Sequence, residues 1–394
     1  MYKGWIMTSA DRWLLPDGID EVLPPQARQI EHLRRHLLDF LDNCGYDLVI
    51  PPALEYLDSL LTGTGKDLDL RTFKVTDQLS GRLMGLSADT TPQVARIDAH
   101  SYAQDGISRF SYCRTVFHAK SSSLLASRTP TQIGAELYGE AGLDADVEII
   151  SLMLAMLEQA GMQQVHLDLG NVGVFRALAR QAGINADLQT ELFALLKLKC
   201  ASDLAVWAER KLSDANMVEA FTLLALLQGG HKTMHTQFAR MAELVPGAAD
   251  ELEHVMKVAE HVAKRFPNTS MMCDLTELRG YDYHTGLVFA AYVPGYGDAI
   301  AQGGRYDETG AVFGRARAAT GFSSDLKVLA RLGDVKIDRK LTVVAPSSDD
   351  PALWQAIQQL RSQGMRVLVQ LNHDEVLADS RLDYLDGQWQ LVEA

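Results

Sequence analysis

Three short runs carry side chains suited to holding a polar ligand. In TQIGAELYGE, residues 131–140, Gln132, Gly134, Glu136 and Tyr138 alternate with Ile133, Ala135 and Leu137. Strand periodicity therefore puts Gln132 and Glu136 on one face, about 13 Å apart. Gly134 between them lets a ligand or another backbone come close. A solvated sheet face would show the same alternation. The run RGYDYHTG, residues 279–286, gathers Arg279, Tyr281, Asp282, Tyr283 and His284 beside an apolar segment. It can line a pocket with aromatic faces, hydrogen-bond partners and a fixed positive charge. It can equally be a turn with interfacial tyrosines. In GGRYD, residues 303–307, glycines allow close backbone approach and Arg305 could meet an anion.

These runs need a sheet to position them. RFSYCRTVFHA, TQIGAELYGE, VHLDLG, MMCDLTEL, GLVFAAYV and DAIAQGG read as strands, with LMGLSAD before them. Pro294-Gly295 supplies a turn between the last two. Ahead of them, Ile30, Leu33, Leu37, Phe40 and Leu41 recur at helical spacing, which predicts a helix over 26–43, stopped at Gly45. YDLVI follows as a short strand. A second helix is expected after the third strand, capped by Asp144. Residues 172–266 are almost wholly helical in pattern and read as a helical domain inserted into the sheet domain. A helix over about 324–331 closes that domain. The expected organisation is a core over 1–335 carrying the 172–266 insertion, then a small α/β unit over 340–394 with a hairpin at Asp386-Gly387.

Bulk properties narrow the function. The 394 residues are 47% hydrophobic and 22% charged, ordinary for a soluble globular chain of two or three domains. A net charge of −14 disfavours a nucleic-acid coat, which clusters Lys and Arg against phosphates. No phosphate-binding glycine loop follows a strand, and no metal-ligand spacing occurs. Cys44, Cys113, Cys200 and Cys273 form no C-x-x-C pair and read as buried small hydrophobes in a reducing cytoplasm. The amino-terminal MYKGWIMTSADRW is not a signal peptide, and IISLMLAMLEQAG is too short to span a bilayer.

Taken in order, RGYDYHTG, AQGGRYD and the Gly321-Phe322 run resemble the histidyl-tRNA synthetases, a class II aminoacyl-tRNA synthetase family. LPDGIDEVLPPQ resembles the family's amino-terminal motif and dimer-forming element. LSADTTPQVAR resembles its amino-group segment, and TQIGAELYGE the strand flooring its histidine pocket. The likeness runs from about Asp17 to Leu332. It implies an α+β core, an antiparallel sheet flanked by helices. It implies that Asp89 and Thr91 meet a histidine amino group, and that Gln132 and Glu136 meet its backbone groups. Arg279 would stand near the carboxylate, and Tyr283 and His284 would face the imidazole.

The departures from that family decide the expected function. Where its synthetases carry R-x-E after this strand, the chain has His118 and Lys120. Where a second ATP-clamping arginine stands in the closing helix, it has Val328. Lys327 and Arg331 are near, but one residue turns a helical side chain by about 100°. Loss of two phosphate-gripping arginines removes the preorganised charge that adenylyl transfer needs. His118 is therefore expected to be dispensable. The segment KSSSLLASRTPT is barely basic, and the acidic unit after Lys340 is a poor anticodon reader, better suited to packing or assembly.

This combination resembles the synthetase-like regulatory subunits of ATP phosphoribosyltransferase. The resemblance implies no catalytic residue, no cofactor and no metal. It implies a homodimer through the class II core, a hetero-octamer with the short-form catalytic subunit, and histidine as feedback effector. Membrane and tRNA binding are not expected. The rival reading is a divergent histidyl-tRNA synthetase or a paralogue that still forms histidyl-adenylate.

Overall fold

The computed structural model describes residues 13–62, 66–121, 126–197, 200–278, 280–281, 283–335, 339–371 and 377–393. They fall into two compact units, one within Met1–Val335 and one within Lys336–Ala394. Arg279 and Asp282 lie outside the described residues.

The first helix occupies Gln26–Asn43 and buries Leu33, Leu37 and Leu41, four residues apart and so on one face. It ends in paired turn bonds: Gly45 N–H donates to the Asp42 carbonyl at 2.8 Å and Tyr46 N–H to the Leu41 carbonyl at 3.1 Å. Gly45 takes φ +84°, which a β-carbon would disfavour.

A nine-stranded sheet forms the body of the first unit. Its spatial order is Asp47–Leu48, Ser108–Thr115, Thr131–Tyr138, Ala319–Asp325, Ala301–Arg305, Leu287–Tyr292, His166–Asn171, Ser270–Asp274 and Gln228–Gly229. Neighbours are antiparallel except at Asp47–Leu48 against Ser108–Thr115 and at His166–Asn171 against Ser270–Asp274. One face buries Ile133, Leu137, Phe322, Phe289, Leu167 and Leu169 in a core shared with helices Leu143–Gln159 and Ala249–Arg265. The opposite face is pared down. Register sets Glu136 opposite Gly321, Gly321 opposite Gly304, Gly304 opposite Val288 and Val288 opposite Gly170. The next row on that face runs Gly134, Ser323, Gln302, Ala290, Asp168.

Several expected boundaries shift. Gly321-Phe322 belongs to a strand that runs to Asp325, and the helix starts only at Leu326. The reason is local: the Asp325 carboxylate accepts the Lys327 N–H at 3.0 Å and caps the helix from outside. Asp144 is not a cap; Gly142 holds that position and Asp144 sits in the first turn. There its charge opposes the positive helix end without a side-chain bond to it. Strands Leu54–Tyr56 and Phe73–Thr76, which flank Leu83–Leu86 in a separate three-stranded sheet, were not expected. Residues 172–266 form the helices Val172–Gln181, Ala186–Lys197, Ala201–Lys211, Ala215–Leu224, His235–Leu244 and Ala249–Arg265. They also contribute Gln228–Gly229 to the sheet edge.

The cysteines correct another expectation. Cys273 is buried, Cys113 and Cys200 are half-buried, and Cys44 is exposed just past the end of the first helix. Among the described residues no helix is long and apolar enough to cross a membrane.

The second unit has a four-stranded sheet ordered Arg366–Val369, Thr342–Ala345, Ser380–Leu385, Gln388–Glu393. Helix Pro351–Ser362 packs Leu353 and Ile357 onto Val343, Ala345, Val367 and Leu382. Asp386 and Gly387 both adopt positive φ, 51° and 79°, as a two-residue hairpin turn requires.

Candidate functional site

Above the pared-down sheet face lies a cavity of about 850 Å³. Its floor is Gly170, Val288, Gly304 and Gly321 in one row, and Asp168, Ala290, Gln302 and Ser323 in the next. The glycines are obligatory. A β-carbon on Gly321 would overlap the Glu136 carboxylate, and one on Gly170 would come within 2.9 Å of the Asp274 carbonyl. A β-carbon on Gly304 would come within 2.7 Å of both the His284 ring and the Leu287 carbonyl.

Asp89, Thr91, Tyr283 and His284 line this cavity together, although they come from segments far apart in the chain. Gln132 and Glu136 do not line it; they stand behind that wall. The Gln132 amide nitrogen donates to Asp89 Oδ1 at 3.2 Å, and its oxygen accepts from the Thr90 N–H at 3.0 Å and hydroxyl at 2.8 Å. Asp89 Oδ1 also accepts the Thr91 N–H at 3.3 Å. Glu136 is 1% exposed. Its Oε1 accepts from the Thr91 hydroxyl at 2.8 Å and the Tyr112 hydroxyl at 3.2 Å, while Oε2 accepts from the Tyr306 hydroxyl. Burial raises the Glu136 carboxyl to about 8 against these hydrogen bonds, and nearby Asp89 adds to the rise. Tyr283 stacks on Tyr306, ring centres 5.1 Å apart at 24°, and meets His284 edge-on.

Alternation found the face of Glu136 but not its depth. Tyr306 and Tyr112, which seal it, were not singled out as site residues. Tyr306 sits within the quoted GGRYD run. Tyr112 carries no local signal.

The nucleotide-clamp positions look different. His118 is buried, with Nε2 3.0 Å from the Ala88 carbonyl and 2.9 Å from an Arg71 nitrogen. Burial first, then the Arg71 charge, lowers its pKa to about 4, so the ring is neutral near pH 7. Lys120 is exposed. Val328 packs half-buried against the main core. Lys327 is tied to the Thr129 carbonyl at 2.8 Å, and Arg331 lies over the Tyr296 ring. Arg305 does not meet an anionic ligand as its sequence context suggested. Its guanidinium pairs with buried Asp146 at 3.0 Å and with Asp307 at 3.3 Å. Burial forces that outcome, because a guanidinium needs a fixed partner away from water.

Comparison with known proteins identifies the fold and the family. Residues 18–329 match the family model described as histidyl-tRNA synthetase, and residues 340–392 match the ATP phosphoribosyltransferase subunit HisZ C-terminal domain. A solved structure titled as an ATP phosphoribosyltransferase regulatory subunit/histidyl-tRNA synthetase from Bacillus halodurans C superposes with a TM-score of 0.79. It is 25% identical and covers 92% of this chain and 94% of that one. The fold and site thus define a class II aminoacyl-tRNA synthetase-like protein of the histidyl type. Among curated relatives, a protein of Ectopseudomonas mendocina (strain ymp) is 49% identical over 98% of this chain and 99% of its own length. One of Cellvibrio japonicus (strain Ueda107) is 48% identical over 98% of each. Both are named ATP phosphoribosyltransferase regulatory subunit, and the chain belongs to that family.

Proposed function

We propose that this chain is the non-catalytic regulatory subunit of ATP phosphoribosyltransferase, which activates a short-form catalytic partner and conveys feedback by histidine. The observation that carries this is a contrast between the cavity wall and the positions of the expected clamp. Acid and hydroxyl groups suited to an amino acid stand together, while neutral His118 and core-packed Val328 occupy the positions expected for the ATP-clamping arginines. Histidine would set its ammonium against Asp89 and Thr91 and its imidazole against Tyr283 and His284. Gln132 and Glu136 would hold that wall in register. Arg279, outside the described residues, remains the family's candidate for the carboxylate.

Feedback requires two arrangements of the complex with different affinities for histidine. Family membership supports a hetero-octamer with the catalytic subunit in the cytoplasm. A second copy of this chain would pair with the sheet edge at Asp47–Leu48, where Leu48 and Ile50 are exposed apolar side chains.

Two assays test the reading. The chain is expected to give no histidine-dependent ATP–pyrophosphate exchange. It is expected to raise the turnover of a short-form catalytic subunit and to make that turnover histidine-sensitive. Exchange well above background would establish the rival adenylate-forming enzyme instead.

A further inference from the structure

We propose that Arg71 forms the anion-binding end of the cavity, taking the carboxylate of the bound amino acid, with His118 as the positioning residue that aims its guanidinium. The proposal rests on reading the cavity as an amino-acid site.

Arg71 ends the short helix Lys66–Arg71 and lines the cavity with Leu68, Asp89 and Thr91. It is the only lysine or arginine among the described lining residues. Its side-chain hydrogen-bond partner is His118, at 2.9 Å from Nε2 and 3.4 Å from Nδ1. No described carboxylate is paired with it. A guanidinium has five donors, so one ring contact leaves a face for a ligand. A guanidinium at a cavity wall with no described carboxylate on it can take an anionic ligand through charge-assisted hydrogen bonds.

The backbone explains why this charge faces the amino-group side. Ala119 N–H donates to the Arg71 carbonyl at 2.7 Å, and Phe117 N–H to the Ser87 carbonyl at 2.8 Å. These bonds stitch together the segments bearing Arg71, His118 and Asp89. An α-amino acid carries its ammonium and carboxylate on one carbon, so its site must offer an acid and a cation close together. Asp89 and Arg71 meet that need. The guanidinium expected from the strand at 118 is thus replaced by one reaching in from another element. Arg71 would share the carboxylate with Arg279, two cations at most, whereas a triphosphate needs several charges. His118 is then not a relic but the neutral ring that fixes the cation's direction.

The test uses the full-length chain titrated calorimetrically with L-histidine and with histidinol, which has a hydroxymethyl group in place of the carboxylate. Wild type should prefer histidine. Arg71→Gln should weaken histidine by roughly 10- to 100-fold, the span of a lost charged hydrogen bond, and leave histidinol unchanged. Arg71→Lys should recover part of the preference, because an ammonium cannot make the forked contact. His118→Ala should reduce the preference less than Arg71→Gln. Equal weakening of both ligands in the Arg71 variants, or of neither, would overturn the assignment of Arg71 while leaving the amino-acid site in place. A wild-type chain that binds neither ligand would overturn the cavity reading itself. Should Arg71→Gln not fold, the lysine variant decides: a preference equal to wild type in that variant would also overturn the assignment.

Discussion

Two sets of residues around the cavity are built on different rules. Behind its wall, Glu136 and Gln132 are woven with Asp89 into hydroxyls and backbone amides, so each side chain is also part of what holds the wall together. At the positions where the family resemblance expected clamp residues, Val328 packs into the core and Lys120 is exposed. A group that has several protein partners is retained because its loss leaves the others unsatisfied. A phosphate-binding arginine has its partner only when substrate is present. Val328, packed against the core, needs no such partner.

That comparison can be broken at three levels. The largest effect is expected from Gly321→Ala. Its β-carbon would collide with the Glu136 carboxylate and the Ala135 carbonyl, so stability should fall by about 1–3 kcal/mol in urea denaturation and histidine binding should disappear. A stable, histidine-binding variant would mean that the glycine floor does not shape the site.

The next effect is pH-dependent. Glu136 stands near 8 in the fold against an ordinary value of 4.5. A carboxyl raised in this way keeps its proton in the native state, and the unfolded chain releases it first. The stability it contributes is therefore full below pH 4.5 and is lost as pH rises through 8. His118 works in the opposite sense below its usual range, so the Glu136 effect is read most cleanly above pH 6.5. Between pH 6.5 and 8.5 the melting temperature of the wild type should drop relative to Glu136→Gln, which cannot titrate. Parallel curves would show that the sealed carboxyl does not carry a proton.

The smallest effect belongs to Lys120→Ala. An exposed side chain away from the hydrogen-bonded wall should shift stability by less than about 0.5 kcal/mol and leave histidine affinity and partner activation as they were. A marked loss of activation would turn this former clamp position into part of a working surface.

Sequence carried the elements whose signals are local. The helix Gln26–Asn43 was bounded by its apolar spacing and Gly45, and the Asp386-Gly387 hairpin by turn chemistry. Cavity residues were found through resemblance, since Asp89, Thr91, Tyr283 and His284 meet only in the folded sheet. What escaped was set by tertiary context. Glu136 was placed on the right face, but alternation cannot say that Tyr306 and Tyr112 cover it. Phe73–Thr76 and Gln228–Gly229 are strands only because neighbours offer them an edge. Arg71 sits in an unpatterned stretch, and its significance comes from His118, 47 residues away.

The glycine floor has a consequence for the long-term fate of this architecture. Neighbouring carbonyls, the His284 ring and the buried Glu136 carboxyl already fill the volume that a methyl at 304 or 321 would need. Single substitutions there cannot plug the hollow without deforming the sheet. The hollow is therefore hard to close by point mutation, and it persists whichever side chains around its rim are exchanged.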